Sequence, residues 1–337
     1  MRRSFHHSDF TAEWVEQTKG GRTVSVCLPA RDEERTVGRT VEDIRADLID
    51  RHRIADEILV IDDGSSDATA AMAEASGARV VAAESILPEG TVEPGLLPPA
   101  AHDNGKGQAM WKALLATSGD IVVYCDADVE DFDTRFVLGL LGPLLAYDDV
   151  SFVKGFYERP FMGRPGEGGR VTELMARPLI SILHPHLSDL VQPLAGECAG
   201  YRSVLEEIPF VGGYGVDLGL LIDVTARFGN EALVQSDLGV RVHRNRSLRD
   251  LSPQALAVLQ VGVARAGIKI EDGPPVSGSW VTEMRVPAGG TVSVAYDELP
   301  RMAGLRPYLG TSPGFSTSPA SSVTQPSVSD QARSASA

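Results

Sequence analysis

The sequence predicts an α/β protein with a mostly parallel central sheet and helices on both faces. Three observations carry this. Short apolar, β-rich runs recur through the first half of the chain. Each is followed by a stretch whose apolar residues repeat at helical spacing, the pattern of parallel strands joined by crossover helices. Several runs end directly in carboxylates, at the place where open α/β sheets bind ligands.

The elements follow in order. Thr23-Val-Ser-Val-Cys-Leu28 reads as a buried strand, and Val37, Val41, Ile44 and Leu48 as one face of a helix. Glu57 to Ile61 is a second strand. Gly64-Ser-Ser-Asp67 turns the chain into an Ala-rich helix from Ala68 to Ser76, with Ser66 or Asp67 as its cap. A third strand spans Ala78 to Ala82. A Pro-rich loop runs from Leu87 to Ala100, and a helix from about Gly107 to Thr117. Asp120 to Tyr124 is a fourth strand, followed by a helix near Thr134 to Leu145 and a strand near Val150 to Phe156. Farther on, helices are expected over Thr172 to Leu183, after Tyr214-Gly-Val-Asp217, and over Pro253 to Ala266. A strand is expected over Leu233 to Val242. From Thr311 the chain is Ser/Pro/Thr-rich and short of large apolar residues, so it cannot offset its ordering entropy and is expected to be disordered.

Composition excludes several function classes. At 337 residues and 43% hydrophobic content, most of the chain has material for a sizeable core. A net charge of −15 makes it a poor partner for nucleic acid or anionic membrane. Phosphates would have to bind through local cations. The N-terminus has basic residues but no apolar stretch behind them, so no signal peptide is expected. No run approaches the ~20 apolar residues of a spanning helix. Cys27, Cys125 and Cys198 form no C-x-x-C motif, and two lie in apolar runs, which reads as buried thiols of a reducing cytoplasm.

The chemistry-bearing motifs cluster at strand ends and helix starts. Asp126-Ala-Asp128 follows the fourth strand. Two carboxylates at that spacing either hold a divalent cation with substrate phosphates or form a polar turn. Leu28-Pro-Ala-Arg-Asp-Glu-Glu34 stands where a dinucleotide fold would carry Gly-x-Gly-x-x-Gly, which argues against a nicotinamide or flavin enzyme. Its acids suit a base or ribose, or simply favour a helix dipole. Asp62-Asp63-Gly-Ser-Ser-Asp67 admits the same two readings. In Asn104-Gly-Lys-Gly107, a helix N-terminus and Lys106 suit a diphosphate, and a loop with a solvated lysine is the alternative. Gly168-Gly-Arg-Val-Thr172 offers the planar fork of Arg170 and the hydroxyl of Thr172 to an anion. His243-Arg-Asn-Arg246 adds a possible metal ligand and more cations. Together these describe one site, with a cation and nucleotide diphosphate beside a small anionic acceptor. That is the constellation of a nucleotide-sugar glycosyltransferase of the GT-A type.

Several longer motifs sharpen this: Gly169-Arg-Val-Thr-Glu-Leu174, Ala176-Arg-Pro-Leu179, Gln192-Pro-Leu-Ala-Gly-Glu197, Gly213-Tyr-Gly-Val216 and Val242-His-Arg-Asn245. With the preceding motifs, they resemble the glucosyl-3-phosphoglycerate and mannosyl-3-phosphoglycerate synthases over about Thr23 to Arg265. The resemblance implies a GT-A fold and a retaining transfer of glucose or mannose from a nucleoside-diphosphate hexose to the 2-hydroxyl of 3-phosphoglycerate. The product would serve compatible-solute or polysaccharide synthesis. It implies Mg²⁺, with Mn²⁺ or Co²⁺ as substitutes, and a homodimer. Carried over, Pro29, Ala30, Arg31, Glu33 and Asp63 surround the nucleoside, and Lys106 and Arg246 meet the diphosphate. Asp126, Ala127 and Asp128 bind ribose and metal, with Asp128 and His243 as direct ligands. Leu194, Tyr214, Asp217 and Arg241 line the sugar. Gly169, Arg170, Thr172 and Asn245 hold phosphoglycerate. Asp217, Asp128 and Arg241 are assigned to catalysis, and Asp217 or Glu197 would be the nucleophile of a covalent route.

Two departures touch the donor. The family's glucosyl enzymes read Tyr-Gly-Val-Glu where this chain has Asp217, and position 63 commonly carries Ser. Both keep GDP-mannose and GDP-glucose open beside UDP-glucose. The rival readings are a nucleotidyltransferase, a lipid-linked glycosyltransferase, a nucleotide-sugar sensor, and a GT-A enzyme with another phosphorylated acceptor. The first lacks its Gly-rich basic loop and the second any membrane segment. The expected organisation is an extension over 1–22, a donor half over 23–158 and an acceptor half over 159–266. A packing or dimerisation segment covers 267–310, and the tail 311–337.

Overall fold

The computed structural model describes residues 1–88, 90, 95–159, 169–241, 247–269, 278–286 and 290–306. The expected Ser/Pro-rich tail, the loop around Met162 to Gly168, and His243, Asn245 and Arg246 lie outside them.

Apolar runs set the centre of the sheet. Strands β1 (Ser4–His6), β2 (Val24–Ala30), β3 (Glu57–Asp62), β4 (Arg79–Ala82), β5 (Ile121–Tyr124), β6 (Phe152–Glu158), β7 (Cys198–Tyr201), β8 (Phe210–Val211) and β9 (Leu233–Val240) come in chain order. All but β8 join one eight-stranded sheet in the order β1-β9-β6-β7-β5-β2-β3-β4. Pairing is parallel except where β7 runs antiparallel between β5 and β6. Successive side chains alternate faces. Ile58 and Val60 of β3 therefore join one core with Val24, Val26 and Leu28, while Leu59 and Ile61 join the other with Cys27. A strand buried on both faces must be apolar throughout, which is why these runs lack alternation.

Helices cover both faces. One side carries α1 (Ala12–Lys19), α2 (Val37–Ile44), α3 (Thr69–Ala75) and, farther along, α5 (Arg135–Ala146). The other carries α4 (Lys106–Ala116), α6 (Arg177–Leu183), α7 (Arg202–Leu205), α8 (Val216–Phe228) and α9 (Leu248–Arg265). Two helices run on through π-type turns: α2 into Arg45–Arg51, and Thr172–Ala176 into α6. No helix among the described residues is long and apolar enough to cross a membrane.

The chain leaves β2 for β3 and β4 on one side and returns to β5 on the other, so the topology reverses between β2 and β5. Pro29 sits at that opening. In β2, the carbonyls of Thr23 and Cys27 accept from β5 residues, so Pro29 faces the same way. The β5 pairing has already ended at Cys27, and the missing proline N–H costs no ladder bond. A crevice opens where doubly wound sheets bind ligands.

Several boundaries differ from the sequence reading. The N-terminal stretch is part of the sheet: β1 pairs parallel with β9, and Phe10 and Val15 are buried. Helix α8 starts at Val216, so Asp217 lies in its first turn and not before it. Helix α9 starts at Leu248, a turn before Pro253, with Ser247 and Asp250 forming a capping box. Thr69–Ala75 has no side-chain cap, although Asp67 accepts from the Thr69 N–H. The segment expected to pack or dimerise packs on the core. A hairpin, β10 (Trp280–Arg285) and β11 (Thr291–Tyr296), lies on α9, where Gln260 donates to the Val294 carbonyl at 3.0 Å. Then β12 (Glu298–Leu299) pairs with β8, and Leu299 and Met302, the latter in α10 (Met302–Leu305), are buried in the main core. The Trp111 indole ties α4 to this segment by donating to the Pro300 carbonyl at 2.8 Å.

Leu299→Ala should therefore cost about 2–5 kcal/mol in urea unfolding, as for a core leucine. Val281→Ala, on the exposed side of the hairpin, should change stability by less than about 0.5 kcal/mol. Equal small effects would contradict core packing of this segment.

Candidate active site

Strand ends deliver the charges. Asp126 and Asp128 follow β5, Arg241 follows β9, Glu197 precedes β7, and Lys154 and Tyr157 lie on β6. Helix starts add Lys106 from α4 and Asp217 from α8. The Arg241 guanidinium is 2% exposed and is ringed by acceptors. Its Nη1 donates to Asp126 at 3.0 Å, Glu197 at 2.9 Å and the Tyr157 hydroxyl at 2.5 Å, and its Nη2 to Asp128 at 2.6 Å. Lys106 Nζ bridges Asp126 at 3.0 Å and Asp217 at 3.3 Å. Lys154, 1% exposed, donates to the other oxygen of Asp217 at 2.9 Å.

Alternating sign makes this burial tolerable. An unpaired buried ion costs several kcal/mol, and here each carboxylate meets a cation. Burial raises the Asp126 carboxyl, but Lys106 and Arg241 outweigh it and hold it well below the usual range. The same partners hold Lys106 and Arg241 well above theirs against desolvation. Burial, aided by the charge of Asp126, pushes Glu197 up despite Arg241, and burial raises the Tyr157 phenol to about 12. Gly196 makes room for the cluster, since a Cβ there would stand 2.1 Å from the Asp126 carboxylate oxygens.

One cavity collects much of the expected site. Its wall contains Lys106, Asp126, Asp128, Leu194, Tyr214, Asp217 and Arg241 from the donor set, with Gly169, Arg170 and Thr172 from the acceptor set. Gly169 has φ +74°, and the next residues enter the π-type turn at Thr172. Such turns recur at functional sites.

The expected nucleoside residues stand apart from that cavity, at the C-terminal ends of β2 and β3. Asp63 is buried, accepts from the Gly105 N–H at 3.1 Å, and is pushed up by desolvation against the opposing charge of Arg31. Arg31 is exposed, while Ala30 is buried. The Ala127 carbonyl is taken by the Thr36 hydroxyl at 2.6 Å. The acids of Asp32-Glu-Glu34 divide in role. Asp32 accepts from the Ser66 N–H at 2.7 Å and Glu34 from the Ala68 N–H at 3.0 Å, so both tie the two strand-end loops together. Glu197 is fully buried and off the cavity wall, which removes it as a nucleophile candidate. Sequence reasoning missed Lys154, Tyr157 and Arg159. The first two lie inside what reads as an ordinary strand, and a lysine in the apolar run Phe152-Val-Lys-Gly-Phe156 was the available signal.

Among the described residues, no group of three His, Cys, Asp or Glu side chains is placed to hold a metal. The donor chemistry nevertheless fits a hard divalent cation. Asp128 reaches the cavity with its side chain 35% exposed and one oxygen on Arg241. A single carboxylate completed by phosphate oxygens and water suits Mg²⁺ or Mn²⁺.

Known proteins align with this arrangement. A family model described as glycosyl transferase family 2 matches residues 25–85. Glucosyl-3-phosphoglycerate synthase of Mycolicibacterium smegmatis is 46% identical over 269 residues, 79% of this chain and 84% of that protein. The Petrotoga mobilis enzyme of the same name is 42% identical over 272 residues, 79% of this chain and 81% of its own. The crystal structure of the Mycobacterium tuberculosis enzyme with Mn²⁺, UDP-glucose and phosphoglyceric acid aligns with TM-score 0.77 at 41% identity, over 90% of this chain and 99% of that one. Mannosyl-3-phosphoglycerate synthase from Rubrobacter xylanophilus aligns with TM-score 0.76 at 36% identity, over 90% and 96%. With this identity over most of both chains, and a shared fold, the chain belongs to the glucosyl-3-phosphoglycerate synthase family.

Proposed function

We propose that this chain transfers a hexose from a nucleoside-diphosphate sugar to the 2-hydroxyl of 3-phosphoglycerate. The observation that carries it is the single cavity in which Lys106, Asp128 and Asp217 share a wall with Gly169, Arg170 and Thr172. The residues assigned to donor and acceptor meet there.

Each group has a role in this reading. Lys106 and Arg241 place positive charge where the leaving diphosphate gathers negative charge. A divalent cation held by Asp128, with His243 as the second protein ligand, would supply Lewis-acid stabilisation of that diphosphate. Asp217 holds the sugar from the first turn of α8, and Leu194 and Tyr214 complete its wall. Arg170, Thr172 and Asn245 hold the acceptor, and Pro29, Ala30, Arg31, Glu33 and Asp63 take the nucleoside. Arg246 assists the diphosphate.

The transfer retains configuration. Asp217 has both oxygens on lysines, and Glu197 is buried away from the cavity, so neither is free to attack the sugar. The bond from the anomeric carbon to the phosphate oxygen breaks as the bond to the acceptor O2 forms on the same face. The hydroxyl proton passes to the leaving phosphate oxygen.

The donor is UDP-glucose, supported by the glucosyl relatives and the UDP-glucose complexes of their structures. GDP-mannose is the second reading. It rests on Asp217, shorter by a methylene than the family's glutamate at a position that lines the sugar, and on a mannosyl synthase among the structural neighbours. The working form is a homodimer on the family resemblance. Leu174 and Ile182, 75% and 78% exposed, offer apolar surface for it. The three free, buried cysteines support a cytoplasmic setting.

Nucleoside diphosphate release from UDP-glucose, GDP-glucose and GDP-mannose, each with Mg²⁺, tests the reaction. It should require 3-phosphoglycerate, run fastest with UDP-glucose, stop with chelator and return with Mg²⁺ or Mn²⁺. Fastest release from GDP-mannose would select the second reading, and release indifferent to phosphoglycerate would overturn the acceptor. Lys154→Met should cut kcat/KM by about 100-fold and lower stability by about 1–3 kcal/mol, because one buried oxygen of Asp217 loses its donor while Lys106 keeps the other. Adding Asp217→Asn should recover stability but not activity. Equal destabilisation of the single and double variants would contradict the pairing.

A further inference from the structure

We infer that Arg159 is a second cation for the acceptor, holding one of the two anionic ends of 3-phosphoglycerate across the cavity from the glycine turn at Gly169. The inference rests on the proposed reaction and adds a residue to the acceptor site.

Charge balance motivates it. A phosphoglycerate carries a carboxylate and a phosphate of about −1.5 to −2 at neutral pH. The buried cluster beneath the cavity pairs four carboxylates (Asp126, Asp128, Asp217 and Glu197) with three cations (Lys106, Lys154 and Arg241). Those three cations are already committed to carboxylates, so the two anionic ends of the acceptor need further donors. Among the described residues on the cavity wall, the remaining cations are Arg170 and Arg159.

Its geometry suits a ligand. Arg159 leaves the end of β6 and lies over the Tyr157 ring, with its guanidinium carbon 4.8 Å from the centroid. Nη2 donates to the Tyr157 hydroxyl at 2.5 Å. Arg241 packs on the same ring at 5.2 Å, so the tyrosine spaces two guanidinium groups that would otherwise repel. No carboxylate salt bridge to Arg159 occurs among the described residues, and its Nε is buried with no hydrogen-bond partner there. A buried donor without an acceptor is costly, and an incoming carboxylate or phosphate oxygen would satisfy it. Stacking fixes the plane of the fork, which reduces the ordering cost on binding.

The test uses the full chain with UDP-glucose (or whichever donor proves fastest) and Mg²⁺, and compares three acceptors. They are 3-phosphoglycerate, D-glycerate, which lacks the phosphate, and glycerol 3-phosphate, which lacks the carboxylate. Arg159→Gln should raise KM for 3-phosphoglycerate by at least tenfold. For whichever truncated acceptor lacks the group that Arg159 holds, KM should change less than twofold. Nucleoside diphosphate affinity, read by calorimetry, should stay unchanged. Arg159→Lys should restore part of the KM and guards against a folding failure of the first variant. An unchanged KM for 3-phosphoglycerate, an equal rise for all three acceptors, or a fall in kcat alone would overturn the assignment. Wild-type enzyme indifferent to phosphoglycerate would instead overturn the reaction itself, so the two failures are distinguishable.

Discussion

A guanidinium cannot be buried without anions around it, and Arg241 is buried almost completely. Its position after β9 brings it against groups from β5, β6 and the approach to β7, strands that are neighbours in space but far apart in sequence. Asp126, Asp128 and Glu197 converge on it as carboxylate partners, and the Tyr157 hydroxyl accepts a further N–H. Lys106 and Lys154 extend the alternation to Asp217 and so bind two helix starts to the sheet floor. The antiparallel β7 belongs to the same arrangement, since Gly196 and Glu197 lead into it and place both a gap for Asp126 and a partner for Arg241.

This network has a chemical consequence. Its side chains are held in place by one another before any ligand arrives, so little reorganisation is needed when charge moves in the proposed reaction. Each carboxylate also has at least one oxygen on a cation. A carboxylate clamped by a lysine or arginine is a poor base and a poor nucleophile. In the proposed reaction the floor orients and balances charge, and the proton and the bond-making stay with the substrates. The wall around Gly169 and Arg170 is the part proposed to select the acceptor.

Much of the fold was legible because the central strands are buried on both faces. Runs such as Glu57 to Ile61 must be apolar throughout, and their ends carry the carboxylates that mark the crevice. The edge and the antiparallel insertion were not. Ser4–His6 is a polar edge strand held by pairing with β9, and Cys198-Ala-Gly-Tyr201 has little β-propensity of its own. Tertiary context makes both. Of the cavity residues, Asp126, Asp128, Lys106, Gly169, Arg170 and Thr172 could be named from strand-end carboxylates and glycine turns; Leu194, Tyr214, Asp217 and Arg241 came only with the family resemblance, and the connections of none could be read. Nothing in sequence shows that Lys154, in mid-strand, turns to Asp217 63 positions away. Asp32 and Glu34 show the converse: acids at the right place for a nucleoside serve the neighbouring loop instead.

The central proposal is that the hexose passes to phosphoglycerate with retention of its anomeric configuration. The proton NMR spectrum of the purified product measures this through the anomeric coupling constant. An α-linked donor should give an α-linked hexosyl phosphoglycerate. A β-linked product would require a base on the opposite face and would contradict the account.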